Sequence, residues 1–156
     1  MKIIKAPKRF YKDDEGGRML FLAGSIEMGK AENWQTKVTD ALKKEQGYLL
    51  NPRRDDWDSS WKQEIDNPQF REQVEWELNA LGQADIIALY FDPNTRSPIS
   101  LLELGMFGGP KMVVYCPKGF WRKGNVDVVC RKRKIVTCVS MEDFINELRL
   151  RLQYMA

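Results

Sequence analysis

Glu103 is the residue whose type and surroundings most directly suggest chemistry. It lies in Ile99-Ser100-Leu101-Leu102-Glu103-Leu104-Gly105-Met106, where apolar side chains flank it on nearly every side of a helix. A carboxylate there is costly to bury unless it is paired or hydrogen-bonded. Gly105 beside it thins the helix and would let a ligand approach. Periodicity alone leaves two readings open: a buried carboxyl held for catalysis, or a helix-edge Glu reaching solvent or a backbone N–H. Glu77, in Gln73-Val74-Glu75-Trp76-Glu77-Leu78, flanks the apolar face set by Val74 and Leu81, and its pattern reads as a solvated helix charge. Asp85, just before an apolar run, reads as a residue that hydrogen-bonds the turn.

What the chain lacks narrows the chemistry. It has no histidine, which removes Ser-His and Cys-His nucleophile pairs, His-ligated zinc and the usual general base near pH 7. Its three cysteines, Cys116, Cys130 and Cys138, form no CxxC pair and fit reduced thiols better than a disulfide framework or a Cys-rich zinc site. Catalysis would therefore fall to carboxylates, with Arg, Ser, Asn, Gln and aromatic residues positioning the substrate. Gly24-Ser25 opens a turn that could offer N–H groups to an anion, though no GxGxxG or Walker pattern accompanies it. Arg53-Arg54 precedes Asp55-Asp56, so Arg53 either joins local ion pairs or faces a phosphate. Trp57, Trp61 and Trp121 could stack on a base, pin a loop or fill a subunit interface. With a net charge of only +3, the run Arg131-Lys132-Arg133-Lys134 reads as a solvated turn and not as a nucleic-acid patch.

The elements that must position these residues follow from pattern. A length of 156 residues, 43% hydrophobic and 30% charged, predicts one globular domain. No apolar run is long enough for a membrane span, and Met1-Lys2-Ile3-Ile4-Lys5 lacks a signal-peptide core, so a cytoplasmic protein is expected. Residues 1–18 read as a loosely held basic arm, with a turn at Lys12–Gly17, and residues 19–156 as the domain. The apolar run Met19–Ala23 stopping at Gly24 reads as a buried strand, followed by a helix over 31–44 and a strand at Tyr48–Leu50. A polar loop, 53–67, leads to a helix from Phe70 to about Gly82. Then come the strand 86–91, the loop 92–98, and a helix over 99–107 with Pro98 in its first turn. Strands at 111–116 and 135–139 and a helix at 141–154, capped by Ser140, complete the pattern. Continuous apolar strands alternating with helices imply a five-stranded parallel sheet in a Rossmann-like or flavodoxin-like three-layer sandwich. Ligands in such folds bind beyond the carboxyl ends of the strands. The loops there begin at Gly24, Asn51, Asp92 and Pro117.

Taken together and in order, Phe21-Leu22-Ala23-Gly24-Ser25-Ile26, Asn51-Pro52-Arg53-Arg54-Asp55-Asp56-Trp57, Glu77 to Asp85, Ser97-Pro98 through Glu103-Leu104-Gly105, and Phe120-Trp121-Arg122-Lys123-Gly124-Asn125-Val126 resemble the nucleoside 2-deoxyribosyltransferase superfamily. The "nucleoside 2-deoxyribosyltransferase-like" branch is the nearest. The resemblance implies that Glu103 attacks C1′ of a deoxyribose and expels the base, and that a second base or water resolves the glycosyl ester. It places Glu77 as an assisting carboxylate where better-known members have Asp. Phe21, Gly24, Ser25, Asn51, Arg53, Asp85 and Ser97 fall on its substrate-binding pattern. Asn125 matches a segment that reaches a neighbouring subunit's site in relatives, so a homo-oligomer with a shared active site is expected. No metal or redox cofactor is implied. Many members have a Tyr at the position of Phe21, whose hydroxyl contacts the nucleophile. Transferases have an Asp at the position of Ser97, where phosphate-accepting hydrolases have Ser. The implied partners are a nucleoside or nucleotide and a free base, with no membrane or nucleic-acid polymer. The expected activity is base exchange between 2′-deoxynucleosides. The alternatives are hydrolysis of deoxynucleoside 5′-monophosphates and a nucleotide sensor without turnover.

Overall fold

A computed structural model of the chain describes residues 1–11, 17–27 and 31–154. The turn expected at Lys12–Gly17, except for Gly17, and Met28, Gly29 and Lys30 of the loop after Gly24 lie outside these residues. The elements are β1 (Lys2–Lys5), β2 (Met19–Gly24), α1 (Trp34–Leu42), β3 (Tyr48–Asn51), α2 (Pro68–Gln83), β4 (Ile86–Tyr90), α3 (Pro98–Phe107), β5 (Met112–Tyr115), α4 (Lys123–Arg133), β6 (Val136–Cys138) and α5 (Met141–Tyr154). The six strands pair in parallel in the order β1-β3-β2-β4-β5-β6.

Strand alternation sorts the core into two layers. Met19, Phe21, Ala23, Ile87 and Leu89 point to one face, against Trp76, Ala80 and Leu81 of α2, Leu104 of α3 and Val126 and Cys130 of α4. Leu20, Leu22, Ile86 and Ala88 point to the other, against Trp34, Val38 and Leu42 of α1 and Phe144 and Leu148 of α5. The three-layer α/β class expected from the sequence is thus the observed one.

Two elements differ from the expectation. Among the described residues the sheet has six strands and not five, because the first residues of the expected loose arm form the edge strand β1 beside β3. Its burial pattern leaves Lys2, Ile3 and Lys5 exposed and buries Ile4 alone. Lysines at a short edge strand deter further pairing, and they also hide the strand in the sequence. The segment after β1 is also tied down. Phe10 packs edge-on against Trp76 at 5.4 Å, and the Trp76 indole N–H donates to the Lys8 carbonyl at 2.8 Å. The second difference is α4, which takes in most of the basic run read as a turn. Val126 and Cys130, four residues apart, are its buried contacts. Its basic last turn suits the negative end of the helix dipole, and the Arg133 guanidinium donates twice to the Gly108 carbonyl that follows α3.

In sheets of this kind the order of connection reverses at one point, and here it does so between β2 and β4. From β2 the chain moves outward to β3 and then returns across to β4. The carboxyl ends of β2 and β4 are in register, Gly24 opposite Tyr90. Gly24 has φ +127°, and a Cβ there would stand 2.2 Å from the Tyr90 carbonyl oxygen. A side chain at this position is opposed both by backbone conformation and by a rigid neighbouring strand. Gly24→Ala is expected to destabilise the protein by about 3 kcal/mol or more. A thermal melt checks this, and a melting temperature within a degree of the wild type would contradict it.

Candidate active site at the strand crossover

The loops leaving β2 and β4 are joined by three buried hydroxyls. Ser25 Oγ lies 2.5 Å from Ser97 Oγ and 3.1 Å from Thr95 Oγ1, and the last two are 2.7 Å apart. The Asp92 N–H donates to Ser25 Oγ at 2.9 Å, and Thr95 Oγ1 donates to the Asp92 carbonyl at 2.9 Å. Glu27 closes the connection from outside. One of its carboxylate oxygens accepts from the N–H groups of Arg96 and Ser97, at 3.0 and 2.9 Å. Ser97 thereby holds a left-handed backbone, φ 45° and ψ 53°, at the entry to α3. Non-glycine residues keep this conformation only where their surroundings over-determine it. Asp92 adds bonds from the N–H groups of Glu32 and Asn94, both at 2.8 Å.

These contacts fix the start of α3, and α3 carries Glu103 inward. Glu103 is 7% exposed, and no group among the described residues hydrogen-bonds its carboxyl. Burial raises its pKa to about 8, and the charge of Glu77 pushes in the same direction. Glu77, half-buried on α2, has its pKa raised to about 7 by burial, while a hydrogen bond from Gln73 Nε2 to Oε1 at 2.6 Å pulls the other way. The two glutamates are thus brought within electrostatic reach. Both carboxyls therefore resist ionisation near neutral pH, Glu103 the more strongly.

The remaining expected residues are placed as follows. Phe21 lies in the apolar core with its ring 6.3 Å from Trp76 and presents no hydroxyl. Asn51, buried at the end of β3, accepts from the Arg53 N–H at 3.0 Å and shapes the turn that carries the Arg53 side chain. Asp85 is at the other end of the sheet, before β4, where its carboxylate accepts from the Met19 N–H at 2.9 Å. That is the turn-bonding role the bare sequence suggested, and the fold does not bring Asp85 to the carboxyl pair. Asn125 stands exposed on the first turn of α4. A cleft of about 270 Å³ at the carboxyl ends of β5 and β6, lined by Cys116, Lys118, Lys123, Asp127 and Cys138, includes neither glutamate.

Sequence reasoning missed Thr95, Glu27 and Gln73. Thr95 was legible in principle, because Asp92-Pro93-Asn94-Thr95 is a strong turn sequence in which side-chain bonds are common. Glu27 and Gln73 gave no local signal, because their partners are far away in the chain or set by helix packing. Trp57 and Trp61 pack against each other, and Arg54 lies over Trp61 while its guanidinium pairs with Asp56 and Glu72. These side chains hold the long loop together. Among the described residues, no group of three or more His, Cys, Asp or Glu side chains could hold a metal ion. No helix among them is long and apolar enough to cross a membrane.

A parallel sheet covered by helices on both faces, with the buried Glu103 carboxyl on α3 and Glu77 in electrostatic reach on α2, defines a three-layer α/β protein. The profile of the family described as nucleoside 2-deoxyribosyltransferase like matches residues 17–120, and the chain belongs to that family. The match covers β2 to β5, including every residue of the hydroxyl cluster and both glutamates. No curated protein matches the chain.

The raised pKa values have a consequence for stability. In the unfolded chain both carboxyls titrate near the ordinary 4.5. Above that pH the unfolded state has released protons that the folded state still holds, so stability falls as pH rises from about 4.5 towards 8. Glu103→Gln removes its share of this loss. The variant should be about 2–4 kcal/mol more stable relative to wild type at pH 8 than it is at pH 5. Denaturant melts at the two pH values measure this. Parallel pH dependences would show that Glu103 is not the desolvated carboxyl described.

Proposed function

We propose that this protein exchanges the base of 2′-deoxynucleosides through a covalent deoxyribosyl ester on Glu103. The observation that carries the reading is the buried Glu103 carboxyl with Glu77 in electrostatic reach, in a chain of the deoxyribosyltransferase-like family. In the first step Glu103, ionised, attacks C1′. The C1′–N bond breaks, its electron pair stays with the base, and Glu77 delivers a proton to the departing base. In the second step the nitrogen of an incoming base attacks C1′, the ester C–O bond breaks to restore the Glu103 carboxylate, and Glu77 takes the proton of the entering base. Two displacements at one carbon retain configuration. The step needs Glu103 as carboxylate and Glu77 as carboxylic acid, so the proton that burial favours on Glu103 must pass to Glu77 before attack.

The hydroxyl cluster supports a nucleoside in preference to a 5′-monophosphate. Thr95 spends its proton on the Asp92 carbonyl, and the Ser25 and Ser97 hydroxyls face each other and Thr95 inside the cluster. The three hydroxyls act as a fastening between loops, and a phosphate would have to compete with the partners each already has inside the protein.

A homo-oligomer fits the exterior of α3. Ile99, Leu102 and Met106, at i, i+3 and i+7, are 60%, 56% and 54% exposed, and form an uncharged stripe on the helix that carries Glu103. Gly105 leaves open space beside them for a second backbone.

Mixing the protein with a 2′-deoxynucleoside and measuring its intact mass should show one added deoxyribosyl unit, absent in Glu103→Gln. With a foreign base present, chromatography should show the mixed nucleoside, and Glu103→Gln should be at least about a thousand-fold slower. Free base and sugar without the mixed product would point to a hydrolase. Binding without cleavage would point to a sensor. Sedimentation velocity should find the wild type oligomeric and Leu102→Asp monomeric, and a monomeric wild type would remove the shared-site reading.

A further inference from the structure

Gln73 is 5% exposed, and the two protons of its amide go to two acceptors. Nε2 donates to the Pro52 carbonyl at 2.8 Å, just after β3, and to Glu77 Oε1 at 2.6 Å, one turn along α2. The amide oxygen is buried and has no partner among the described residues. A half-turn of the amide would not relieve it, because Oε1 of Gln73 would then face a carbonyl and a carboxyl oxygen. An apolar residue such as Met would fill the same space with no orphaned acceptor. A buried polar group kept at a net cost calls for an explanation in what its other end holds.

We propose that Gln73 is a positioning residue for the carboxyl pair, whose clamp on Glu77 Oε1 assigns the transferable proton to Oε2. An oxygen that accepts from an amide N–H at 2.6 Å is not the one that carries the carboxyl proton. The clamp therefore leaves Oε2 of Glu77 to serve the departing and the entering base, and it anchors Oε1 to the end of β3 through Gln73 and the Pro52 carbonyl. The inference rests on the acid/base role proposed for Glu77. The titratable group that bears on Glu77 is Glu103 on α3, and on its own helix the neutral Gln73 amide, which does not titrate, favours the ionised form by hydrogen bonding.

The test is carboxyl NMR of protein labelled with carboxyl-¹³C glutamate, in wild type and Gln73→Met, with the Glu77 signal assigned through Glu77→Gln. Methionine keeps the length and apolar stem of Gln73 and removes both donors. The Glu77 midpoint should rise by about half a pH unit or more in Gln73→Met. Base exchange should lose roughly ten-fold or more in kcat with KM within about two-fold, and its pH profile should move to higher pH. In the wild type, which needs no variant to fold, the Gln73 side-chain amide signals should titrate with the Glu77 midpoint. An unmoved Glu77 midpoint in Gln73→Met, or wild-type amide signals that ignore it, would overturn the proposal. So would a shifted midpoint with wild-type kcat. If the wild type exchanges no bases, the proposed function fails on that result, while the two NMR titrations still decide whether the clamp exists.

Discussion

Two carboxyl groups taken out of water and set within reach of each other's charge are the constraint that the rest of the site answers to. Neither arrangement is cheap. Desolvation disfavours the charged form of each, and the charge of one disfavours the charge of the other. A fold pays such a cost only where the surrounding structure leaves the side chains no better alternative. Here α3 cannot turn Glu103 outward, because its entry is fixed at Ser97 by the Glu27 carboxylate and by the hydroxyls of Ser25 and Thr95. On the facing helix, α2 cannot swing Glu77 away without breaking the Gln73 bond to the β3 end.

The sheet order explains why these fixings converge. The β2–β4 pairing puts Gly24 opposite Tyr90, so the loops after both strands start side by side. Gly24 allows the approach, Ser25 spans it, and Asp92 closes it through its backbone N–H. The Ser25 carbonyl also accepts from the Trp34 indole at 3.0 Å, which ties the same point to α1 on the opposite face of the sheet. One residue after β2 is therefore bonded to the next strand, to the loop before α3 and to the first helix. The crossover is rigid because its polar groups are spent on one another.

The parts of this arrangement that could be read from the sequence are those whose cause is local. Phe21 and Leu89 belong to uninterrupted apolar runs, and buried parallel strands are recognised by such runs. Glu103 stood out because a lone charge among leucines contradicts its surroundings. Pro98 and the Gly108-Gly109 pair marked the ends of its helix. The parts that could not be read have distant causes. β1 is four residues with three exposed side chains, and only its pairing with β3 makes it a strand. The first turns of α4 offer just Val126 and Cys130 to the core, too few for a visible period. Glu77 looked solvated because its burial comes from tertiary packing, and nothing near position 77 announces it. Gln73 has the same blind spot. An i to i+4 polar pair on a helix is ordinary until one learns that it is buried.

Phe21 bears on how the pair can work. The resemblance places a tyrosine hydroxyl at this position in many relatives, in contact with the nucleophile, whereas the phenylalanine ring here lies against Trp76 and offers no donor. Burial, and after it the charge of Glu77, push the Glu103 pKa upward, and no hydrogen bond to its carboxyl among the described residues opposes them. On the proposed mechanism this moves the source of nucleophile activation from the protein to the substrate. Departure of the base creates positive charge at C1′, and that charge stabilises an adjacent carboxylate that burial otherwise penalises. Stabilisation that exists only as the bond breaks lowers the barrier without tightening the ground-state complex. The buried, donor-poor surroundings of Glu103 then make its carboxylate the developing cation's strongest partner, provided that Glu77 is in place to carry the proton that Glu103 gives up.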